Sequence, residues 1–148
     1  MTDRSLNAYP DSSALLGFLR SLRTVRCFES EPVPEEVVRD VLEVARWSGS
    51  ALNCQPWEFL VVRERGSLES LATCEGYAGH LASARGGIVL VMAGEAEKFE
   101  QETFDEGRLS KRSSLAAASC GVASSVGCSR EMAKRRLKRF SRYRKVGW

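Results

Sequence analysis

Residues 22–62 read LRTVRCFESEPVPEEVVRDVLEVARWSGSALNCQPWEFLVV, and the change of hydrophobic period inside this stretch decides the fold. Two prolines and an acidic turn precede VVRDVLEVARWS, where Val37, Val38, Val41, Leu42 and Ala45 recur at helical spacing. That pattern predicts a helix with one apolar face. The polar turn GSALNCQP follows, and WEFLVVRE then has the length and the β-branched and aromatic content of a strand. A helix that leads through a tight polar turn into an apolar strand is a building unit of an α+β fold.

Working outward, ALLGFLRSLRTVR places Leu15, Leu16, Leu19 and Leu22 at helical spacing, which predicts a first helix ending near Arg23. The residues before it, 1–14, are rich in Ser, Asp and Asn and are expected to be a flexible lead-in. Downstream, RGGIVLVMAGE is a second and more uniformly apolar strand, expected at the centre of the sheet. SLESLATC and YAGHLASA are short helical candidates. FDEGRLSKRSSLAAASCGVAS predicts a longer helix with Leu109, Arg112, Leu115, Ala116 and Cys120 near one face. The expected architecture is α+β, a three-layer sandwich with a central mixed sheet flanked by helices. No internal repeat is present, and no G-x-G-x-x-G turn follows a strand, so a Rossmann-type dinucleotide site lacks its signal.

A chain of 148 residues with 43% hydrophobic content suffices for one domain, placed at residues 15–127. No stretch approaches the roughly 20 apolar residues that span a bilayer, and the polar start MTDRSLNAYPDSS lacks signal-peptide order. A cytoplasmic protein without a membrane partner is expected. The five cysteines, Cys27, Cys54, Cys74, Cys120 and Cys128, include no C-x-x-C pair, and His80 is the sole histidine, which argues against a metal site. Free thiols of this kind are expected to be buried or half-buried, and none is assigned to catalysis. The net charge of +3 is unevenly spread: residues 130–148 hold nine basic residues and one acidic, a net +8 that leaves −5 for the rest. An acidic body argues against a nucleic-acid surface on the fold, so any such binding would rest on the tail.

Two segments carry candidate chemistry. Arg20, Arg23 and Arg26 are spaced three apart, beside the hydroxyl of Thr24, and on a helix and its exit they lie along one side. Arginine presents a fixed fork of donors to phosphate oxygens, although a solvated helix face has the same composition. In GSALNCQPW, Gly49, Ser50 and Asn53 favour a turn, and Gln55-Pro56-Trp57 starts a buried strand. The amides of Asn53 and Gln55 suit the polar edge of a heteroaromatic ring with Trp47 or Trp57 as cover; equally, they suit a role confined to fixing the turn.

Taken together, the Arg-Thr-x-Arg-x-Phe element, the Pro-Val-Pro helix start, the Ala-Arg-Trp helix end and the Asn-x-Gln-Pro-Trp strand start resemble the amino-terminal signature of the nitroreductase family. GIVLVMAGE and FDEGRLSKRSSLAAASCGVASSVG continue the similarity, which covers roughly residues 15–127. The resemblance implies FMN as cofactor, with Arg23, Thr24 and Arg26 on its phosphate. It implies a flavin wall from Ser48, Gly49, Ser50 and Asn53 of the partner subunit, supported by Gln55, and backbone donors near the ring from Ser125, Val126 and Gly127. Leu22 stands where the family often has another Arg, and Gly49 replaces a frequent proline, which is expected to loosen the wall. A homodimer with sites at its interface is implied, with NAD(P)H as electron donor and a small-molecule electron acceptor. The flavin carries the redox step and no side chain is assigned as catalytic.

Beyond Gly127 the resemblance stops. CSREMAKRRLKRFSRYRKVGW lacks the apolar last strand of the family, so residues 128–148 are expected to be an atypical basic tail. A shortened family member, a frameshifted or truncated product and an acquired basic arm all share this composition. A non-enzymatic relic that binds flavin or a protein partner without turnover is the alternative function.

Overall fold

In the computed structural model, residues 11–74 and 77–127 are described. The expectations for residues 1–10 and for the tail, 128–148, lie outside them. Four helices, α1 (Ser12–Ser21), α2 (Glu35–Arg46), α3 (Arg65–Ala72) and α4 (Phe99–Ser119), accompany two strands, β1 (Trp57–Val62) and β2 (Gly87–Met92). Short 3-10 turns occupy Ala51–Asn53, Gly79–Ala82 and Ala96–Lys98.

The strands pair antiparallel, in register from Trp57 opposite Met92 to Val62 opposite Gly87. Both faces of this pair are covered, which is why the strands are apolar at nearly every position. On one face Phe59 packs with Leu42 and Ala45 of α2 and Leu109 of α4, joined by Val61, Ile88 and Leu90. On the other, Val62 and Val89 meet Leu68 and Leu71 of α3 and Leu81 of the Gly79–Ala82 turn. Helices, sheet and helix therefore form three layers, and the α+β class holds. β1 is the one strand paired with β2 among the described residues.

α2 follows its sequence pattern. Val41, Leu42 and Ala45 are buried, Val37 and Val38 are half-buried, and Glu35 and Glu36 place negative charge at the positive end of the helix dipole. Arg63, just past β1, donates to the Val33 carbonyl at 2.8 Å and to Glu35 at 3.0 Å, tying the strand exit to the start of α2. Against α2 lie Ala116 and Ala117 of α4, whose small side chains let Val41 approach.

Three expectations need correction. α1 starts at Ser12, capped by the Asp11 carboxylate on Ser13 N–H at 3.0 Å, and stops at Ser21; its leucines 15, 16 and 19 are 43–49% exposed, since no described element covers them. α4 starts at Phe99, five residues earlier than expected, and its buried face holds Glu102, Asp105, Leu109, Ala116 and Ala117, with Arg112 and Cys120 exposed. Both carboxylates find backbone donors there: Glu102 accepts from Gly94 N–H at 2.7 Å and Glu95 N–H at 3.1 Å. Finally, Cys27, Cys54 and Cys120 are exposed, because they sit in connecting segments and at a helix end, and Cys74 alone of the four described thiols is buried.

Leu109 is fully buried at the junction of α2, α4 and the sheet. Leu109→Ala is expected to lower unfolding free energy by about 2–5 kcal/mol in urea denaturation. Tyr77→Ala, at an exposed side chain, is expected to change it by less than about 0.5 kcal/mol.

Candidate functional site

The turn after α2 is built on left-handed backbone: φ is 53° at Leu52, 55° at Asn53 and 46° at Gln55. Such conformations cost free energy in non-glycine residues and cluster where a defined shape is needed. Local hydrogen bonds hold it. Gln55 N–H donates to Ser50 Oγ at 2.8 Å, Gln55 Nε2 donates to Asn53 Oδ1 at 3.3 Å, and Trp57 N–H donates to the Gln55 carbonyl at 2.8 Å. Asn53 and Gln55 thus fix the turn, and their remaining amide groups face outward on exposed residues. Leu52, at the tip, is 96% exposed.

Two α4 residues that the sequence reading did not single out anchor this turn. Asp105, 2% exposed, accepts the Ala51 N–H at 3.3 Å and lies 3.6 Å from the Arg108 guanidinium. Arg108 in turn covers Gly49: a Cβ there would stand 2.8 Å from Arg108 Nη2. The space beside Gly49 is thus occupied by the guanidinium of Arg108. Ser48 is buried and its Oγ has no hydrogen-bond partner among the described residues. At the end of α2, Glu43 takes hydrogen bonds from Arg46 and Trp47, and these hold its carboxyl below the usual range.

The arginine segment differs from a single helix face. The chain leaves α1 after Ser21, so Arg23 and Arg26 lie beyond it, and Arg23 Nη1 turns back to the carbonyls of Arg20 at 2.8 Å and Leu22 at 2.7 Å. Val25 N–H donates to the Ser124 carbonyl at 3.1 Å, which joins this segment to the loop after α4. Arg23 and Thr24 therefore share with Ser125 and Val126 a cleft of about 650 Å³ along α4. Arg26 and Arg20 are not among its lining residues.

A second cleft, of about 690 Å³, shares this loop as lining and includes His80, Ser125 and Gly127. Gly127 presses on the neighbouring segment, where a Cβ would meet the Tyr77 carbonyl oxygen at 3.0 Å. Ser125 Oγ and His80 Nε2 are both buried without hydrogen-bond partners among the described residues. Burial, with Arg26 nearby, pushes the His80 imidazole below its ordinary value of 6.5.

α4 separates the two groups of candidate residues. Successive helical residues turn by about 100°. Asp105, Arg108 and Arg112, which reach the turn and the end of α2, therefore share one face, whereas Gly107, Lys111, Ser114 and Ala118, which line the Arg23 cleft, share another about 120° further round the helix. Within one chain the Ser48–Gln55 turn does not enter the Arg23–Thr24 cleft.

These features define an α+β chain with a cleft lined by Arg23 and Lys111 along one face of its longest helix and a rigid polar turn anchored to another. The nitroreductase family profile matches residues 19–140. A Comamonas testosteroni chloronitrobenzene nitroreductase is 37% identical over 71 residues, 47% of this chain and 31% of that one. A Thermus thermophilus NADH dehydrogenase is 35% identical over 75 residues, 51% of this chain and 36% of that one. The structure of an FMN-dependent nitroreductase from Clostridium difficile R20291 superposes with a TM-score of 0.63 at 25% identity, covering 72% of this chain and 61% of the other. The chain belongs to the nitroreductase family. It spans about a third of the length of the two curated relatives named.

The unfolded chain takes a proton on His80 near pH 6.5 while the folded chain takes it at lower pH, so below that value the unfolded state binds more protons and stability falls. The melting temperature is expected to drop between about pH 7 and pH 5, and less so in His80→Gln; equal slopes for the two proteins would remove His80 as the cause. Asp105→Ala is expected to cost about 1.5–3 kcal/mol, read by chemical denaturation, because the hydrogen bond from Ala51 N–H to a buried charged carboxylate is lost.

Proposed function

We propose that the chain acts as an FMN-dependent oxidoreductase that takes electrons from NAD(P)H and passes them to a small conjugated acceptor, of the nitroaromatic or quinone type. The observation that carries this reading is the division of the candidate residues by α4 into two incomplete sets, each with a buried hydroxyl that lacks a partner: Ser48 on one side, Ser125 on the other. A homodimer with its sites at the interface brings the turn of one copy to the cleft of the other and makes both sets one site. The two sets fit FMN by chemistry. Arg23 and Thr24 offer a guanidinium and a hydroxyl to a phosphate, and Gly127 lets the loop backbone lie close to its neighbours without a side chain in between.

Bound FMN would supply the hydride chemistry itself. The residues of the chain bind and orient it. Arg23 and Thr24 hold the phosphate, with Arg26 adding positive charge from the same segment. Backbone N–H groups of Ser125, Val126 and Gly127 face the ring, where fixed donors stabilise charge without reorganising. Ser48, Gly49, Ser50 and Asn53 form the wall, and Gln55 keeps the turn in shape. No side chain serves as acid or base. Exposed, unpaired thiols at Cys27, Cys54 and Cys120 suit a reducing compartment such as the cytoplasm.

Purified protein is expected to be yellow, with flavin absorbance near equimolar to chain and steady NAD(P)H oxidation when a quinone or nitroaromatic is present. Colourless protein that added FMN fails to reconstitute would overturn the reading, and flavin binding without NAD(P)H oxidation would favour the non-enzymatic alternative. The shared site has its own check. Arg23→Ala/Thr24→Ala and Ser48→Ala/Asn53→Ala variants are each expected to bind FMN poorly, and co-refolding them in equal amounts should restore about a quarter of the wild-type flavin, since half the random pairs hold one intact site in two. No recovery on mixing would place each site within one chain.

A further inference from the structure

The cleft beside Arg23 contains a group that neither the sequence motifs nor the family signature assigns. Gly107, Lys111, Ser114 and Ala118 form its α4 wall at helical spacing, and Lys111 is the one long side chain among them. Across from it stand Arg23 and Thr24, with Phe18 and Val122 supplying apolar surface. No acidic residue lines the cleft among the described residues.

The donors here are also uncommitted. Arg23 engages Nη1 with two carbonyls, which leaves Nε and Nη2 without a hydrogen bond among the described residues. Lys111 has no ion pair among them, unlike Arg39, Arg46, Arg63, Arg65, Lys98 and Arg108. A guanidinium-bearing, an ammonium-bearing and a hydroxyl-bearing residue thus line one cleft, with no acidic side chain beside them among the described residues. A phosphate monoester carries about −1.5 to −2 at pH 7 and accepts on three oxygens, which matches two cations and a hydroxyl in charge and in number.

We propose that Lys111 is a phosphate-binding residue, which completes with Arg23 and Thr24 the subsite for the terminal phosphate of FMN from the face of α4. The proposal rests on the flavin reading given above, and riboflavin, which lacks the phosphate, separates the two. Lys111 is an exposed position, so substitution there leaves the core untouched.

Quenching of flavin fluorescence gives dissociation constants for FMN and for riboflavin, with wild type, Lys111→Met and Lys111→Arg, each checked for an unchanged melting temperature without flavin. The expected result is that Lys111→Met weakens FMN by about 10- to 100-fold and riboflavin by less than about twofold, and that Lys111→Arg recovers most of the loss. Inorganic phosphate is expected to compete with FMN on wild type and less effectively on Lys111→Met. Unchanged FMN affinity in Lys111→Met overturns the assignment while the flavin reading stands. Equal weakening of FMN and riboflavin also overturns it, because Lys111 would then act through the shape of the cleft. Wild type that binds neither flavin overturns both.

Discussion

The close contact between α2 and α4 is the constraint on which the rest of the structure depends. Val41 lies against Ala116 and Ala117, and Leu42 and Ala45 lie against Leu109. Alanines at this contact allow a short distance between the helix axes, and the pair then presents one continuous apolar face to Phe59 and Ile88 of the sheet. The functional segments depart from the ends of these two helices. Ser48 N–H is still bonded to the Ala45 carbonyl as the polar turn begins, and Val122 N–H is bonded to the Ala117 carbonyl as the loop after α4 begins. A bulkier side chain at Ala116 or Ala117 would shift both departures together, although the two segments are remote from each other around α4.

Much of this was legible before any coordinates. The period of Val37, Val38, Val41, Leu42 and Ala45 located α2, because one buried stripe is all that such a helix needs. WEFLVV and GIVLVM located both strands, since apolar residues at consecutive positions require cover on both faces, and α3 and α4 provide it. The joint spacing of the arginine segment and Asn-x-Gln-Pro-Trp pointed to the family that the profile match establishes.

What remained hidden was polar burial and the ends of helices. A pattern reading phased α4 on Leu115 and Cys120, whereas its inner face includes Glu102 and Asp105. Carboxylates read as solvent-facing until the backbone N–H groups they accept from are known, and those of Gly94, Glu95 and Ala51 become visible only in three dimensions. The arginines were expected along one side of a helix and its exit, with the helix ending near Arg23; α1 ends at Ser21 and Arg23 folds back on its last carbonyls, a favourable place for a cation at a helix C-terminus. His80 carried no local signal, since its burial comes from residues of separate segments.

The two buried carboxylates of α4, Glu102 and Asp105, differ in how far along the chain they reach. Glu102 holds backbone 8 residues away, Asp105 holds backbone 54 residues away. Closing the longer loop costs about 1.7 kcal/mol more in chain entropy. Folding can therefore order the exit of β2 and the first turn of α4 as a local unit, while the Ala51 latch must await the docking of α2. The turn keeps its own short-range hydrogen bonds, so the late Asp105 contact governs where the turn stands against α4 and not how it is shaped.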